Sequence, residues 1–94
     1  MAKTTARTAS LTAQNTFGGS VEVRGLFNFS LSGTWVGTVH LQRSFDAGSS
    51  WLDVDSFTSN VETFGTESED GVYYRVGVKT GNYTSGTVVE RVSQ

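Results

Sequence analysis

The chain has 94 residues, enough for one domain with one modest core. It carries no Cys and one His, which excludes disulfides, thiolate chemistry and a multi-histidine metal site within one chain. Its net charge of −2 is too small to imply nucleic acid or an anionic membrane as a partner, and no apolar run approaches the ~20 residues of a membrane-spanning helix.

Pro is absent, so turns must be made by Gly, Asn, Asp and Ser. Thr and aromatic residues favour strands, and the frequent Gly punctuates them. The first stretch, "MAKTTARTAS", holds Lys3 and Arg7 with no acid. It has no apolar segment of the secretory type, so the chain is expected to be made in a cytoplasm. Residues 1–14 read as an N-terminal arm or a first edge strand, with Ala9, Leu11 and Ala13 on one face. Residues 15–94 read as a single domain.

"NTFGGS" reads as a loop. Val21 and Val23, then Phe27, Phe29 and Leu31, alternate at the strand period, with Gly25 marking a bulge or bend. Ser32-Gly33 reads as a tight turn. Trp35, Val39, Leu41 and Phe45 share the next face, with Val36, Thr38, His40 and Gln42 pointing the other way. "DAGSS" is a turn, "WLDVDSF" a strand, "VETF" a short edge strand and "GTESED" an acidic loop. "GVYYRVGVKT" alternates most clearly, with Val72, Tyr74, Val76 and Val78 on one side. "TGNY" turns the chain into a last strand, where Val88, Glu90 and Val92 oppose Val89, Arg91 and Ser93.

This pattern predicts an all-β protein, an antiparallel β-sandwich of immunoglobulin/fibronectin-like or jelly-roll-like type. About seven short strands at ~8–12-residue spacing carry that reading. A small barrel is the alternative.

"SFDAGSSW" fits the pattern S-x-D-x-G-x-S-W and resembles the Asp-box of sialidases and other β-propellers, with Ser50 where Thr is more usual. A propeller needs several four-stranded blades, and this length holds one motif and no repeat. The motif is therefore read as structural. Ser44 and Asp46 bond within the turn, Gly48 supplies a conformation that side chains resist, and Trp51 anchors the turn on the sheet.

No catalytic constellation emerges, and neither a cofactor nor a metal is expected. His40 has no nucleophile beside it and reads as a polar-face or interface histidine. Asp53 and Asp55, two apart on one strand, would stand ~7 Å from each other on one face. They read as a solvated face or a guarded edge. Glu67, Glu69 and Asp70 could hold Ca²⁺ through oxygens, but they lack the D-x-D-x-D-G pattern and read as a repelling loop. Tyr73 and Tyr74 must point to opposite faces, and Tyr83 sits in a turn, so exposed tyrosines are expected as interface candidates.

"GTWVGTVHLQRSFD", "GSSW", "GVYYRVGVKTG", "YTSGT" and the C-terminal "SQ" are similar to small β-sandwich proteins encoded among the virion genes of tailed bacteriophages. The resemblance covers about residues 20–94. It implies a non-enzymatic virion structural protein that decorates or cements the capsid surface. The implied partner is the major capsid protein, and the implied assembly is a homo-oligomer with a trimer favoured. Candidate interface residues are Lys3, Thr4, Thr5, Arg7, Tyr73 and Tyr83. The alternatives are a carbohydrate- or host-surface-binding module and a tail or neck ring component.

Overall fold

The structure is a computed structural model that describes residues 6–94. Those residues form seven strands and no helix: β1 Ala6–Leu11, β2 Thr16–Phe17, β3 Val21–Gly37, β4 Val39–Ser44, β5 Leu52–Phe57, β6 Val61–Val78 and β7 Tyr83–Ser93. All pairings are antiparallel, in the order β1-β7-β3-β6-β4-β5, with β2 alongside β6. The expected all-β, sandwich-like class stands. The strands are less even than the spacing suggested, because β3 runs for 17 residues and β6 for 18.

Those two long strands bend the sheet. At the bend Val23 pairs with Val72 and Gly25 with Glu67, so residues 68–71 bulge opposite Arg24 alone. Gly25 and Gly71 take positive φ, 78° and 75°, which side chains disfavour. On one side of the bend, β1, β7, the rest of β3 and the start of β6 form the first layer. On the other, the end of β6 with β4 and β5 forms the second. The rings of Phe29 on β3 and Phe57 on β5 are 5.1 Å apart. Three strand steps in a flat sheet would put them about 14 Å apart, so the layers must face each other. Gln94 clasps the bend, accepting from the Arg24 amide at 3.1 Å and donating to the Arg24 and Leu26 carbonyls.

The core lies between the layers. Val21, Val23, Phe27, Phe29 and Leu31 of β3 meet Val39 and Leu41 of β4 and Val72, Tyr74, Val76 and Val78 of β6. Phe27 and Tyr74 pack with ring centres 4.7 Å apart. Each such buried side chain contributes roughly 1.5–3 kcal/mol of apolar burial. Leu11 is the deepest side chain of β1, and Val88, Glu90 and Val92 of β7 are all buried.

Two readings are corrected. Ser32-Gly33 is not a turn but lies inside β3. Gly33 sits opposite Val88 with φ 94°, and a side chain there would strike the Thr87 carbonyl. Glycine was needed for close approach between strands, not for reversal. "GTESED" is not a separate loop but the middle of β6, bulged opposite Arg24.

Candidate functional site

The β4–β5 hairpin is the most densely bonded part of the surface. The Ser44 hydroxyl donates to Asp46 Oδ1 at 2.6 Å and accepts from the amides of Asp46 and Gly48 at 3.3 and 2.8 Å. The Ser50 amide donates to Asp46 Oδ1 at 2.9 Å, and its hydroxyl to Oδ2 at 2.6 Å. The Asp46 carboxyl is held down at about 2, first by the Ser44 hydroxyl and then by Ser50. Ala47 and Gly48 carry the turn through positive φ, 57° and 93°. These bonds all close within the hairpin.

Trp51 leads from the hairpin to the outer face of the second layer. There the Arg75 guanidinium lies between two rings, 4.3 Å from Trp51 and 3.9 Å from Phe17. Arg75 Nε donates to Gln42 Oε1 at 2.9 Å, Gln42 Nε2 to Asp53 Oδ1 at 2.8 Å, and Lys79 Nζ to Asp53 Oδ2 at 2.9 Å. Lys79, and after it Gln42, keep the Asp53 carboxyl below its ordinary range. Burial lowers Arg75. The sheet builds this ladder by register, because Gln42 stands opposite both Arg75 and Asp53. Phe17 reaches Arg75 across Gly77, where any Cβ would collide with the ring.

Asp53 and Asp55 do not act as a matched pair. A register shift sets Asp53 opposite Gln42 and Asp55 opposite Leu41, adjacent residues that face opposite ways. Asp53 serves the ladder, while Asp55 accepts from the Ser56 amide at 2.8 Å. The acidic cluster is dispersed too. Glu67 is buried and accepts from Tyr74 Oη at 2.8 Å, Arg43 at 3.3 Å and the Glu69 amide at 3.1 Å. Burial pushes its carboxyl up, but these donors outweigh it and the net shift is down. Asp70 pairs with Arg24 at 3.1 Å on the surface. His40 is half-buried on β4, and its buried Nδ1 has no hydrogen-bond partner among the described residues.

The candidate interface residues lie apart. Lys3, Thr4 and Thr5 fall outside the described residues. Arg7 is exposed on β1 and donates to the Ser20 carbonyl at 3.4 Å. Tyr73 is half-buried on the second layer, opposite Glu22 and Ser44. Tyr83 is not an exposed turn residue. It starts β7, packs against the core and donates its hydroxyl to the Gly86 carbonyl at 2.8 Å.

Phe17, Gln42, Arg75 and Lys79 were not singled out from the sequence. Gly77, a glycine within a well-alternating strand, was the one available sign of a close approach. The two most exposed large apolar side chains lie elsewhere, on the outer face of the first layer. Leu26 is 66% exposed and Phe64 72%. They are diagonal neighbours, since Leu26 pairs with Thr66 and Phe64 with Asn28. Beside them runs a shallow groove lined by Ser30, Ser32, Asn60 and Glu62. No protein family, characterised protein or solved structure matches the chain.

Proposed function

We propose that this chain is a non-enzymatic virion structural protein that decorates or cements a phage capsid through subunit contacts. The observation that carries the reading is the Leu26–Phe64 pair, two large apolar side chains standing in water on a broad, hydroxyl-rich sheet face. Apolar surface of that kind serves contact with another protein. The similarity of residues 20–94 to small phage β-sandwich proteins supplies the partner class, the major capsid protein, with a trimer as the assembly. Lys3, Thr4, Thr5 and Arg7 are interface candidates in this reading, and many copies on a symmetric shell gain avidity from weak contacts. The densely bonded Asp-box hairpin serves rigidity in this reading. A glycan site centred on Tyr83 has less support, because its hydroxyl and ring are already engaged.

The test is the copy number in purified particles, by quantitative mass spectrometry against the major capsid protein. Hundreds of copies, near a whole-number ratio, support the capsid role. A single ring's worth moves the protein to the tail or neck, and none overturns the virion reading. Phe64→Ser should weaken capture by purified capsids while leaving the fold intact.

A further inference from the structure

Glu90 is a carboxylic acid placed where the core expects an aliphatic side chain. It stands between Val88 and Val92 on the inward side of β7 and is 1% exposed. The register puts Ala9 of β1 on one side of it and Leu31 of β3 on the other. Its carboxyl fills the space over Gly18, where a Cβ would collide with Oε1 and lie 3.2 Å from the Ala9 side chain. Oε1 is buried with no hydrogen-bond partner among the described residues. Ionising such a group is costly unless water or a cation reaches it. Burial accordingly raises its carboxyl to about 7.

Among the described residues no cation is paired with it, although Arg7 shares its face of the β1–β7 pair. On β1, Arg7 donates to the Ser20 carbonyl. On β3, Arg24 pairs with Asp70, and Glu22 takes the outward parity between buried Val21 and Val23. On β6, Arg75 lies between Phe17 and Trp51 on the outer face, and Glu67 is bonded to Arg43 and Tyr74. Glu62, Glu69 and Asp70 of β6 are exposed, as is Arg91 of β7 on the side away from Glu90. Residues 18–20 carry no charge.

The two sides of the carboxyl differ in how firmly they are held. Leu31 belongs to the long central strand β3, paired on both sides. β1 is an edge strand of six residues, paired with β7 alone, and Leu11 is its one buried side chain. Water therefore reaches Glu90 most cheaply by lifting β1.

We propose that Glu90 is a pH-sensitive latch on the N-terminal strand: protonated, it lets β1 lie closed on β7, and ionised, it drives β1 away and bares the β7 edge. An open β7 edge can pair with a strand from another chain. The latch stands whether or not the protein belongs to a virion.

Amide hydrogen exchange on the full chain at pH 5.5 and 8.5, corrected for intrinsic exchange, tests this. With the carboxyl at about 7 when closed and at its ordinary 4.5 when open, opening of β1 should rise about 30-fold between those pH values. Amides of residues 6–11 should lose protection by that factor through a local opening that low urea barely accelerates, whereas amides of β3, β4 and β6 should exchange only through urea-dependent global unfolding. Glu90→Gln, or Glu90→Leu if the amide is not tolerated, should hold β1 closed at both pH values. Unchanged β1 protection in the wild type overturns the latch. So does equal pH dependence in the variants, or exchange of the β1 amides with the same urea dependence as the core strands.

Discussion

Asp46 and Glu90 carry the same chemical group in opposite surroundings. Asp46 stands at a hairpin tip and accepts from the Ser44 hydroxyl and from the amide and hydroxyl of Ser50. Glu90 stands in the core with one oxygen unpartnered among the described residues. One carboxyl is held down at about 2 and the other raised to about 7. Hydrogen-bond donors, not depth alone, decide which acid is fixed. Glu67 is also buried, yet its donors keep it ionised. The exposed carboxylate is thus a constant part of the turn, and the buried one is the group that responds to its surroundings.

The widest break in this contrast is expected at Glu90. Between its unfolded value of 4.5 and its folded value of about 7, the folded chain keeps a proton that the unfolded chain has lost. Stability therefore falls as pH rises through that window and levels off above it, by up to about 3 kcal/mol. Urea unfolding of the wild type and Glu90→Gln from pH 5 to 8.5 measures this. The variant should gain on the wild type as pH rises, and a constant difference would show that the carboxyl titrates normally.

The glycines beside the two acids sharpen the same comparison. Gly18→Ala should cost about 2 kcal/mol, because the new Cβ occupies the place of the Glu90 carboxyl. That cost should largely vanish in a Glu90→Ala background, which a double-mutant cycle would measure. Gly48→Ala should cost nearer 1 kcal/mol. Its Cβ meets only the Trp51 ring at 3.5 Å, and the penalty is the positive φ of 93°. That cost should not depend on Asp46.

The two sites were not equally legible in the sequence. The Asp46 turn closes within residues 44–51, so composition and spacing state most of it: an acceptor, two hydroxyls, a glycine and an anchor. Parity placed Glu90 with Val88 and Val92, which says which way it points but not whether a donor meets it there. That depends on Gly18 and Ala9, more than seventy residues back along the chain and delivered by strand pairing. The Arg75 ladder was hidden for the same reason, since Phe17 and Gln42 reach it from distant strands. Ser32-Gly33 and "GTESED" misled in the other direction. Glycine and polar clusters mark reversals, but they also mark the bulges and close approaches that let a long strand bend. Gly25, flanked by clear alternation, reads as marking a bulge or bend, and the β3–β6 register does shift beside it.

Smaller effects are expected at the hairpin itself. Asp46→Ala should lower the thermal midpoint modestly and loosen the amides of residues 48–51, with the core strands unaffected. Amide exchange would separate that local change from a general one. The carboxylate's contribution is present at every pH above its ordinary range and is lost as pH falls from that range to about 2. Between pH 5 and 8.5 the loss in Asp46→Ala should therefore be constant, where that of Glu90→Gln is not.

The smallest change is expected at Ser50, where the hydroxyl meets Asp46 Oδ2 and the amide meets Oδ1. Ser50→Thr keeps both donors and adds a methyl to an exposed position, so it should fall within ~0.5 kcal/mol of the wild type. Ser50→Ala keeps only the amide bond. Because Asp46 still holds the Ser44 hydroxyl, its carboxyl should rise only partway toward its ordinary value, which carboxyl chemical shifts in an acid titration would follow. A full return in Ser50→Ala would mean that Ser50 alone tunes Asp46. The turn would then be a single bond rather than a network, and the contrast with Glu90 would rest on one hydroxyl.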